Sequence, residues 1–580
     1  MSDITINFLS TDVLGRAFRI DTASVWAEAT DHDRLTRISV GSLIAFQGST
    51  ASEYLVGVLD RVTRDLQEEA QIDDPDDDGT VAVEARERDL IRVILVGTYR
   101  TVDGARRDTF KRGADSYPQV EAPCWVIDGE NLQLLMGLLA SQLDPEKQLR
   151  LGHFVTDESA VAVADGDRLF QRHAALLGST GSGKSWSVAL ILERAHALEH
   201  PNLVIFDMHG EYAPLTKASE GGGDAIASGF RIAGTSDVEQ QTVGTIFLPW
   251  WLLNQEEMQA LLLDRSEDNA PNQAARLSAH VRALKHERLE AEGRAEVLER
   301  FTADSPVPYS IRELVDRLRA DDEEMVPGVR APIKGPFNGK LTRFISRLES
   351  RLDDRRYSFM FGPPEAASEY SWLSEFAVQL LGTEPGIKVV DFSEVPSDIL
   401  PIVVGVLARV LYEVQFWTPA DNRTPITFVC DEAHLYLPAS DRSVSELRAL
   451  DTFERIAKEG RKYGVSLLIV SQRPSDVSRT VLSQCNNFIV LRLTNDQDQR
   501  VIQQLMPDSM AGLTAALPLL DVGEALVLGD AMILPTRIKL DQPRVKPASA
   551  TMNFWSVWNV AQADPNVIRG AVEAMRRQSR

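Results

Sequence analysis

The sequence predicts an α/β chain in which a small β-barrel precedes a parallel-sheet domain, with a helical subdomain inserted into that domain. Three observations lead there. Residues 1–130 read as short strands between turns (VGSLIAFQG, YLVGVLDRV, LIRVILVGTY, PCWVID), with β-branched alternation and little helical periodicity. Closing such strands into a barrel removes their open edges. From His173 onward strands alternate with helices, the mark of a parallel sheet. From Asn254 to Phe376 the text turns helical and charged, as in RFISRLESRLDDRRYSF, before strands resume.

Taken in order, the barrel strands are interrupted by DDPDDD at Asp73–Asp78, which suits a solvated hairpin loop and not a central strand. AALLG runs into a glycine-rich turn and then a helix to about Glu199, and LVIFD at 203–207 is the next buried strand. After the helical insert the sheet resumes with IKVVDFS, ITFVCDE, VSLLIVSQ and NNFIVLRL. EALVLG and TRIKLD are two further strands, followed by a C-terminal helix and tail. The expected segments are therefore 1–130 for the barrel, 131–253 and 377–540 for the two parts of the sheet domain, 254–376 for the insert and 541–580 for an extension.

At 580 residues the chain has room for three or four structural units. Its 44% apolar and 25% charged composition belongs to a globular protein and excludes a disordered one. Cys124, Cys430 and Cys485 are isolated in sequence, with no metal-ligand spacing, and read as buried thiols in a reducing compartment. MSDITINFLSTD lacks the basic and apolar regions of a secretory signal. The best span candidate, ILPIVVGVLARVLYEVQFW from Ile399, is interrupted by Arg409 and Glu413 and reads as a buried helix, so a cytoplasmic protein without a membrane partner is expected. Net charge of −24 argues against nonspecific wrapping of nucleic acid, though not against a basic channel within an acidic assembly.

The chemistry begins at LLGSTGSGKSWSVAL. Gly178, Ser179, Thr180, Gly181, Ser182, Gly183, Lys184 and Ser185 fit GxxxxGK[ST] in full, between a strand and a helix. Glycines let backbone N–H groups converge on phosphates, and the helix start adds its positive dipole end. Lys184 is expected at the β- and γ-phosphates of ATP and Ser185 on Mg²⁺, with Trp186 beside the nucleotide. ITFVCDEAH supplies an acidic pair at the carboxyl end of a strand, with Asp431 expected to hold Mg²⁺ through water and Glu432 to polarise the attacking water. Gln472, ending the next strand, is placed to sense the γ-phosphate; a buried amide capping a turn is the rival reading. Between those strands RIAKEGRKYG carries Arg455, Lys458, Arg461 and Lys462, either a solvated face or the source of an arginine for a neighbour's γ-phosphate. Asp207, His209 and Glu211 of FDMHGEY follow a central strand; Glu211 is a candidate for positioning water, and His209 for a hydrogen-bonding role. The letters DEAH suggest a two-lobed helicase of another superfamily, but too little chain follows Asp431 for a second lobe.

The combination RHAALLGSTGSGKS, FDMHGEY, VCDEAHLYLP and EGRKYGVSLLIVSQRP resembles the HerA family of the FtsK–HerA ATPases, and VGSLIAFQG with FKRGADSYP resembles that family's N-terminal barrel. LPWWLLNQEE and VVDFSEVPSDILPIVVGVLARVLYE also read as family segments, so the match spans about residues 35–540. The resemblance implies an N-terminal β-barrel followed by a RecA-like P-loop ATPase domain with an inserted helical subdomain. It further implies a homo-hexameric ring that translocates double-stranded DNA with ATP and Mg²⁺, beside a NurA-like nuclease or a sirtuin-like defence effector. Carried over by motif, Lys184 and Ser185 belong to the phosphate loop, Asp431 and Glu432 to the second motif, and Gln472 is the sensor. Arg461 matches the family's catalytic arginine and Arg172 a second one near the subunit interface; which of them acts in trans stays open. An ATP-gated ring scaffold that assembles an effector is the alternative function, and a conjugation-type pumping ATPase a further one.

Overall fold

The structure, a computed structural model, describes residues 6, 8–71, 82–101, 108–218, 224–235, 237, 243–382, 384, 386–440, 444–506, 510–549, 552–560 and 562–577. The acidic Asp73–Asp78 stretch lies outside them. The chain divides into two compact units, one of residues 1–194, 471–475 and 485–543, the other of 195–470, 476–484 and 544–580.

The first unit begins with seven antiparallel strands: β1 (Gly15–Ile20), β2 (Ser24–Ala29), β3 (Leu43–Gln47), β4 (Glu53–Gln71), β5 (Ala82–Arg100), β6 (Thr109–Arg112) and β7 (Pro123–Ile127). They run in the order β2-β1-β7-β3-β4-β5, and β5 pairs back onto β2, so six strands close into a barrel with β6 appended to β5. Inward-facing Ala17, Val25, Ile44, Phe46, Leu55, Leu59, Ile91 and Val93 fill it. The strands β1 and β2 were not evident in the text, because GRAFRI and SVWAEA carry few β-branched residues; the closed register, not propensity, makes them strands. Strands β4 and β5 are 19 residues each, longer than the apolar runs suggested. Beyond the barrel wall, where β2 ends opposite Asp89, the pairing continues between charged residues, Arg64 opposite Asp89 and Asp65 opposite Arg88. Arg64 Nε stands 3.0 Å from Asp89 Oδ1. Cross-strand opposite charges hold a ribbon that hydrophobic patterning cannot reveal.

After the helix Gly129–Ser141 come β8 (Gln148–Phe154), β9 (Asp157–Asp165) and β10 (Ala174–Leu177), the last leading into the helix Lys184–His196. In this unit β10 pairs in parallel with β19 (Asn487–Leu491), and β20 (Glu524–Gly529), β21 (Thr536–Leu540), β8 and β9 extend the sheet in antiparallel fashion.

The second unit carries a parallel sheet of order β13-β12-β16-β11-β17-β18, formed by β11 (Leu203–Asp207), β12 (Ser228–Ile232), β13 (Thr245–Ile246), β16 (Ile387–Asp391), β17 (Ile426–Cys430) and β18 (Val465–Ser471). Strands β11, β17 and β18 are buried along their whole length, which is why they read as unbroken apolar runs. Between β13 and β16 lies the helical insert: Gln255–Leu262, Ala270–Ala291, Ile311–Glu323, Thr342–Asp353 and Trp372–Leu381, with a small hairpin of β14 (Met325–Val326) and β15 (Ile333–Lys334). The first helix opens on a capping box, Asn254 accepting from the Glu257 N–H while Glu257 accepts from the Asn254 N–H. The last helix runs past Phe376, because FAVQLL continues its apolar face.

The apolar helix Leu400–Trp417 is long enough to cross a bilayer, yet 72% of that stretch is buried within the structure. Its two charges have a structural use. Arg409, 11% exposed, donates to Glu257 Oε1 and Oε2 at 2.7 and 2.8 Å, to Glu413 at 3.0 Å and to the Leu252 carbonyl at 2.6 Å. One guanidinium thus ties the first helix of the insert to the sheet domain's longest core helix. The three cysteines are buried and form no disulfide, and burial pushes the Cys124 and Cys485 thiols up to about 12.

Replacing Arg409 by Met leaves Glu257 buried without its cation, so the variant is expected to lose about 3–5 kcal/mol of stability. Arg409→Met combined with Glu257→Met should recover most of that loss, as read from denaturant midpoints.

Candidate active site

Strand β10 is fully buried and stops at Leu177, where the chain must turn without burying unpaired polar groups. The turn is tied down by its neighbours. The Gly178 N–H donates to the Ser471 carbonyl (3.2 Å), the Ser179 N–H to the Arg492 carbonyl (2.8 Å), and the Gly523 N–H to the Ser182 carbonyl (3.0 Å). Thr494 donates its N–H to Ser179 Oγ at 3.2 Å. Gly181 and Gly183 take φ of 75° and 105°, values that penalise any side chain. A Cβ on Gly178 would meet Ser182 Oγ at 2.6 Å and Leu491 Cβ at 2.8 Å.

The helix then starts at Lys184, whose Nζ lies 3.5 Å from the Ser179 carbonyl, and Ser187 donates back to the Gly183 carbonyl at 2.9 Å. Ser185 and Trp186 sit half-buried on its first turn. Ser182 Oγ is buried with no hydrogen-bond partner. A left-handed glycine turn, a helix N-terminus, a lysine curled over the loop and an orphaned hydroxyl fit a polyphosphate well. Gln472, one residue beyond β18, accepts a hydrogen bond from Thr180 Oγ1 at 2.6 Å. The amide therefore rests on the phosphate loop, across 292 positions of sequence.

In the second unit β17 ends at Cys430, and the acidic pair begins the turn after it. Neither acid is therefore part of the strand itself. Glu432 adopts φ 42°, ψ 45°, a left-handed conformation rare for a non-glycine residue. Its Oε2 lies 3.3 Å from His434 Nδ1.

Burial pushes the Asp431 carboxyl well above the usual carboxylate range, and Glu432, Asp207 and Glu211 push it further. No Lys or Arg pairs with Asp431 among the described residues. Asp207 accepts the N–H groups of His209 (3.2 Å), Glu211 (3.0 Å) and Tyr212 (2.9 Å), shaping the FDMHGEY turn. Burial nevertheless raises its carboxyl to about 6. Its role is therefore to build the turn that carries Glu211, while His209 faces solvent.

A desolvated carboxylate in an acidic neighbourhood calls for a cation, and hard oxygen donors suit Mg²⁺. Among the described residues no group of three or more His, Cys, Asp or Glu could hold a metal. Mg²⁺ in a P-loop site needs no such cage, because a hydroxyl, phosphate oxygens and waters complete its octahedron.

The arginines separate clearly. Arg172 is ion-paired to Asp530 in the same chain, which also accepts from Asn486 at 3.4 Å. Burial alone would raise the Asp530 carboxyl, but the bonds from Asn486 and Arg172 hold it below its ordinary value. In RIAKEGRKYG, Arg455 lies over the rings of Tyr412 (5.4 Å) and Phe416 (5.6 Å), Lys458 pairs with Glu454 at 3.1 Å, and Lys462 lies 5.5 Å from the Tyr463 ring. Arg461, in the turn Gly460–Tyr463, is exposed and has no side-chain partner among the described residues.

The Thr180–Gln472 contact, the Asp530 partner of Arg172 and the His434 contact to Glu432 were not anticipated. Only the last had a local signal, the two-residue spacing within DEAH.

A glycine-rich loop joining a buried strand to a helix, with an acidic pair ending a second buried parallel strand, defines a P-loop ATPase. Residues 149–411 match the family model described as the central domain of the helicase HerA. A probable helicase of Methanocaldococcus jannaschii is 26% identical over 463 residues, 78% of this chain and 78% of its own. The DNA double-strand break repair helicase HerA of Sulfolobus acidocaldarius is 27% identical over 398 residues, 68% and 69% of the two chains. VirB4 of Thermoanaerobacter pseudethanolicus aligns with a TM-score of 0.47 and 15% identity over 70% of this chain and 99% of its own. The chain is thus similar to HerA helicases over much of its length, and it is an ATP-hydrolysing enzyme.

If the Thr180–Gln472 hydrogen bond couples loop and amide, Thr180→Val and Gln472→Ala should each slow ATP turnover. The double variant should then be no slower than the worse single one, a non-additivity measured by a double-mutant cycle on kcat.

Proposed function

We propose that this protein is a homo-hexameric, ATP-driven translocase of double-stranded DNA that works in the cytoplasm beside a nuclease or another effector. The observation that carries the reading is the set of groups prepared for ATP hydrolysis: the phosphate loop with Lys184, the desolvated Asp431 beside Glu432, and the unengaged Arg461. The DNA part rests on relatives whose names describe double-strand break repair helicases.

Lys184 and the backbone N–H groups from Gly178 to Trp186 hold the β- and γ-phosphates of ATP. Ser185 and, through water, Asp431 would hold Mg²⁺, which would supply positive charge to those phosphates. Glu432 accepts a proton from the attacking water as its oxygen bonds to the γ-phosphorus and the bond to ADP breaks. Gln472 reports the state of the γ-phosphate through Thr180, and Glu211 orders water beside the acidic pair. Arg461 completes a neighbour's site and Arg172, held by Asp530, supports the subunit boundary. The barrel, residues 1–130, docks the effector, a NurA-like nuclease or a sirtuin-like protein.

The net charge of −24 favours a second reading, a ring that assembles an effector and uses ATP only to gate it. Turnover by the purified protein, with and without linear duplex DNA, separates the two. Stimulation supports the translocase; rates unchanged by DNA, with tight effector binding, support the scaffold.

Lys184→Ala is expected to abolish hydrolysis and weaken nucleotide binding, because the phosphates lose their cation. Glu432→Gln should keep binding and slow turnover about 10²–10⁴-fold. Nucleotide titration and steady-state ATPase assays distinguish these two failures.

An arginine supplied between subunits contributes about 10³–10⁵ in rate. Arg461→Ala and Lys184→Ala proteins should each be inactive alone, yet recover partial hydrolysis when mixed under subunit exchange. Confirmed exchange without recovery would remove Arg461 from the trans role.

A further inference from the structure

The turn after β11 brings an aromatic hydroxyl to the acidic end of the parallel sheet. Strand β11 runs between β16 and β17, with Asp207 opposite Asp391 and Phe206 opposite Cys430, so Asp207 and Asp431 leave their strands at the same level. The FDMHGEY turn folds back over this end because Asp207 collects three of its N–H groups, the last being that of Tyr212 at 2.9 Å. Tyr212 is anchored by its backbone and wholly buried. Its hydroxyl meets no hydrogen-bond partner among the described residues. Four carboxylates act on that hydroxyl: Asp431 first, then Asp207, Glu211 and Glu432. Asp431 outranks Asp207 although Asp207 holds the backbone of the same residue, so the hydroxyl points toward the end of β17.

A buried tyrosine ordinarily gives its O–H to a nearby oxygen. Tyr357 donates to Asp398 at 2.8 Å, and Tyr436, in the turn after β17, donates to the Asp431 carbonyl at 3.1 Å. Leaving the Tyr212 hydroxyl unmatched carries a cost that a phenylalanine of the same shape would not. Burial and the four acids also hold the phenol protonated, so it remains a donor. A neutral donor enclosed beside carboxylates suits a water, which can accept from the hydroxyl and donate to an acid.

We propose that Tyr212 is a positioning residue for Asp431: its hydroxyl donates to a water held against the Asp431 carboxylate and so orients that carboxylate toward Mg²⁺. The inference rests on the assignment of Asp431 to Mg²⁺ and adds a partner from the turn after β11. Tyr212 itself touches neither phosphate nor metal in this scheme. Lys184 and the loop N–H groups hold the phosphates without it, so its loss acts on the affinity for Mg²⁺ and not on that for metal-free nucleotide. Removing a group that orients a metal ligand commonly costs about 10–100-fold in metal affinity.

The test uses the full-length protein, AMP-PNP as a non-hydrolysable ATP analogue, and MgCl2 titrated against it. Tyr212→Phe removes the hydroxyl and keeps the ring. In protein free of nucleotide and Mg²⁺, its melting temperature should equal or exceed the parent's, because an unmatched donor is gone. Calorimetric titration should give AMP-PNP affinity without Mg²⁺ within about threefold of the parent, while the Mg²⁺ concentration for half-saturation rises about 10–100-fold. Steady-state ATP hydrolysis should follow, slow at limiting Mg²⁺ and near the parent's rate at saturating Mg²⁺. In the Asp431→Asn background, Tyr212→Phe should raise the Mg²⁺ requirement no further. A lower melting temperature for Tyr212→Phe, an unchanged Mg²⁺ requirement, or full additivity with Asp431→Asn would overturn the positioning role. An Asp431→Asn protein with the parent's Mg²⁺ requirement would instead overturn the metal assignment of Asp431, and with it this inference. The two failures are thus told apart by which variant keeps the parent's requirement.

Discussion

The second unit keeps a carboxylate where water is not. Asp431 stands at the end of β17, wholly enclosed, with no basic side chain beside it among the described residues and three acidic neighbours acting on it. An ion so placed costs several kcal/mol, and elsewhere in the fold that cost is removed by pairing. Here it is retained. The five apolar residues Ile426–Cys430 anchor the strand on both faces, and burial of that strand is what holds the acid in place. A cation bound there would relieve the penalty.

The contrast with other buried charges is instructive. Arg409 is surrounded by two carboxylates and a carbonyl. Lys285 gives its protons to the Ala303 and Ser305 carbonyls, both at 2.7 Å, and burial lowers its ammonium to about 8. Lys388 in β16 donates to Asn202 at 2.8 Å and to the Gly382 and Gly386 carbonyls, with burial again lowering it to about 8. In each case the partners are oxygens supplied by nearby chain, which marks the group as structural. By contrast, among the described residues Asp431 has no basic partner, Ser182 Oγ has no hydrogen-bond partner and Arg461 has no side-chain partner.

Backbone conformation follows the same logic. Positive φ values in the phosphate loop fall on glycine, which accepts them at little cost. Glu432 accepts one without that freedom, and the buried strand on one side and the braced turn on the other hold it there.

The phosphate loop, the buried strands of the parallel sheet, the acidic pair and the helical insert were legible in the sequence, because each is local. A glycine pattern, an apolar run or a helical period is complete within about ten to twenty residues. The charged half of the β4–β5 ribbon was not legible, since its stabilising pairs lie across strands. Nor was it visible that Gln472 rests on Thr180, or that Arg172 is engaged by Asp530, 358 positions away. The sequence presented four cations in RIAKEGRKYG as equivalents, and only packing against Tyr412, Phe416, Tyr463 and Glu454 separates Arg461 from the rest. Composition and periodicity determined which elements form and which residues could do chemistry. Tertiary structure decided which of those residues are already partnered, because partnership is a matter of distance in space, and distance along the chain does not report it.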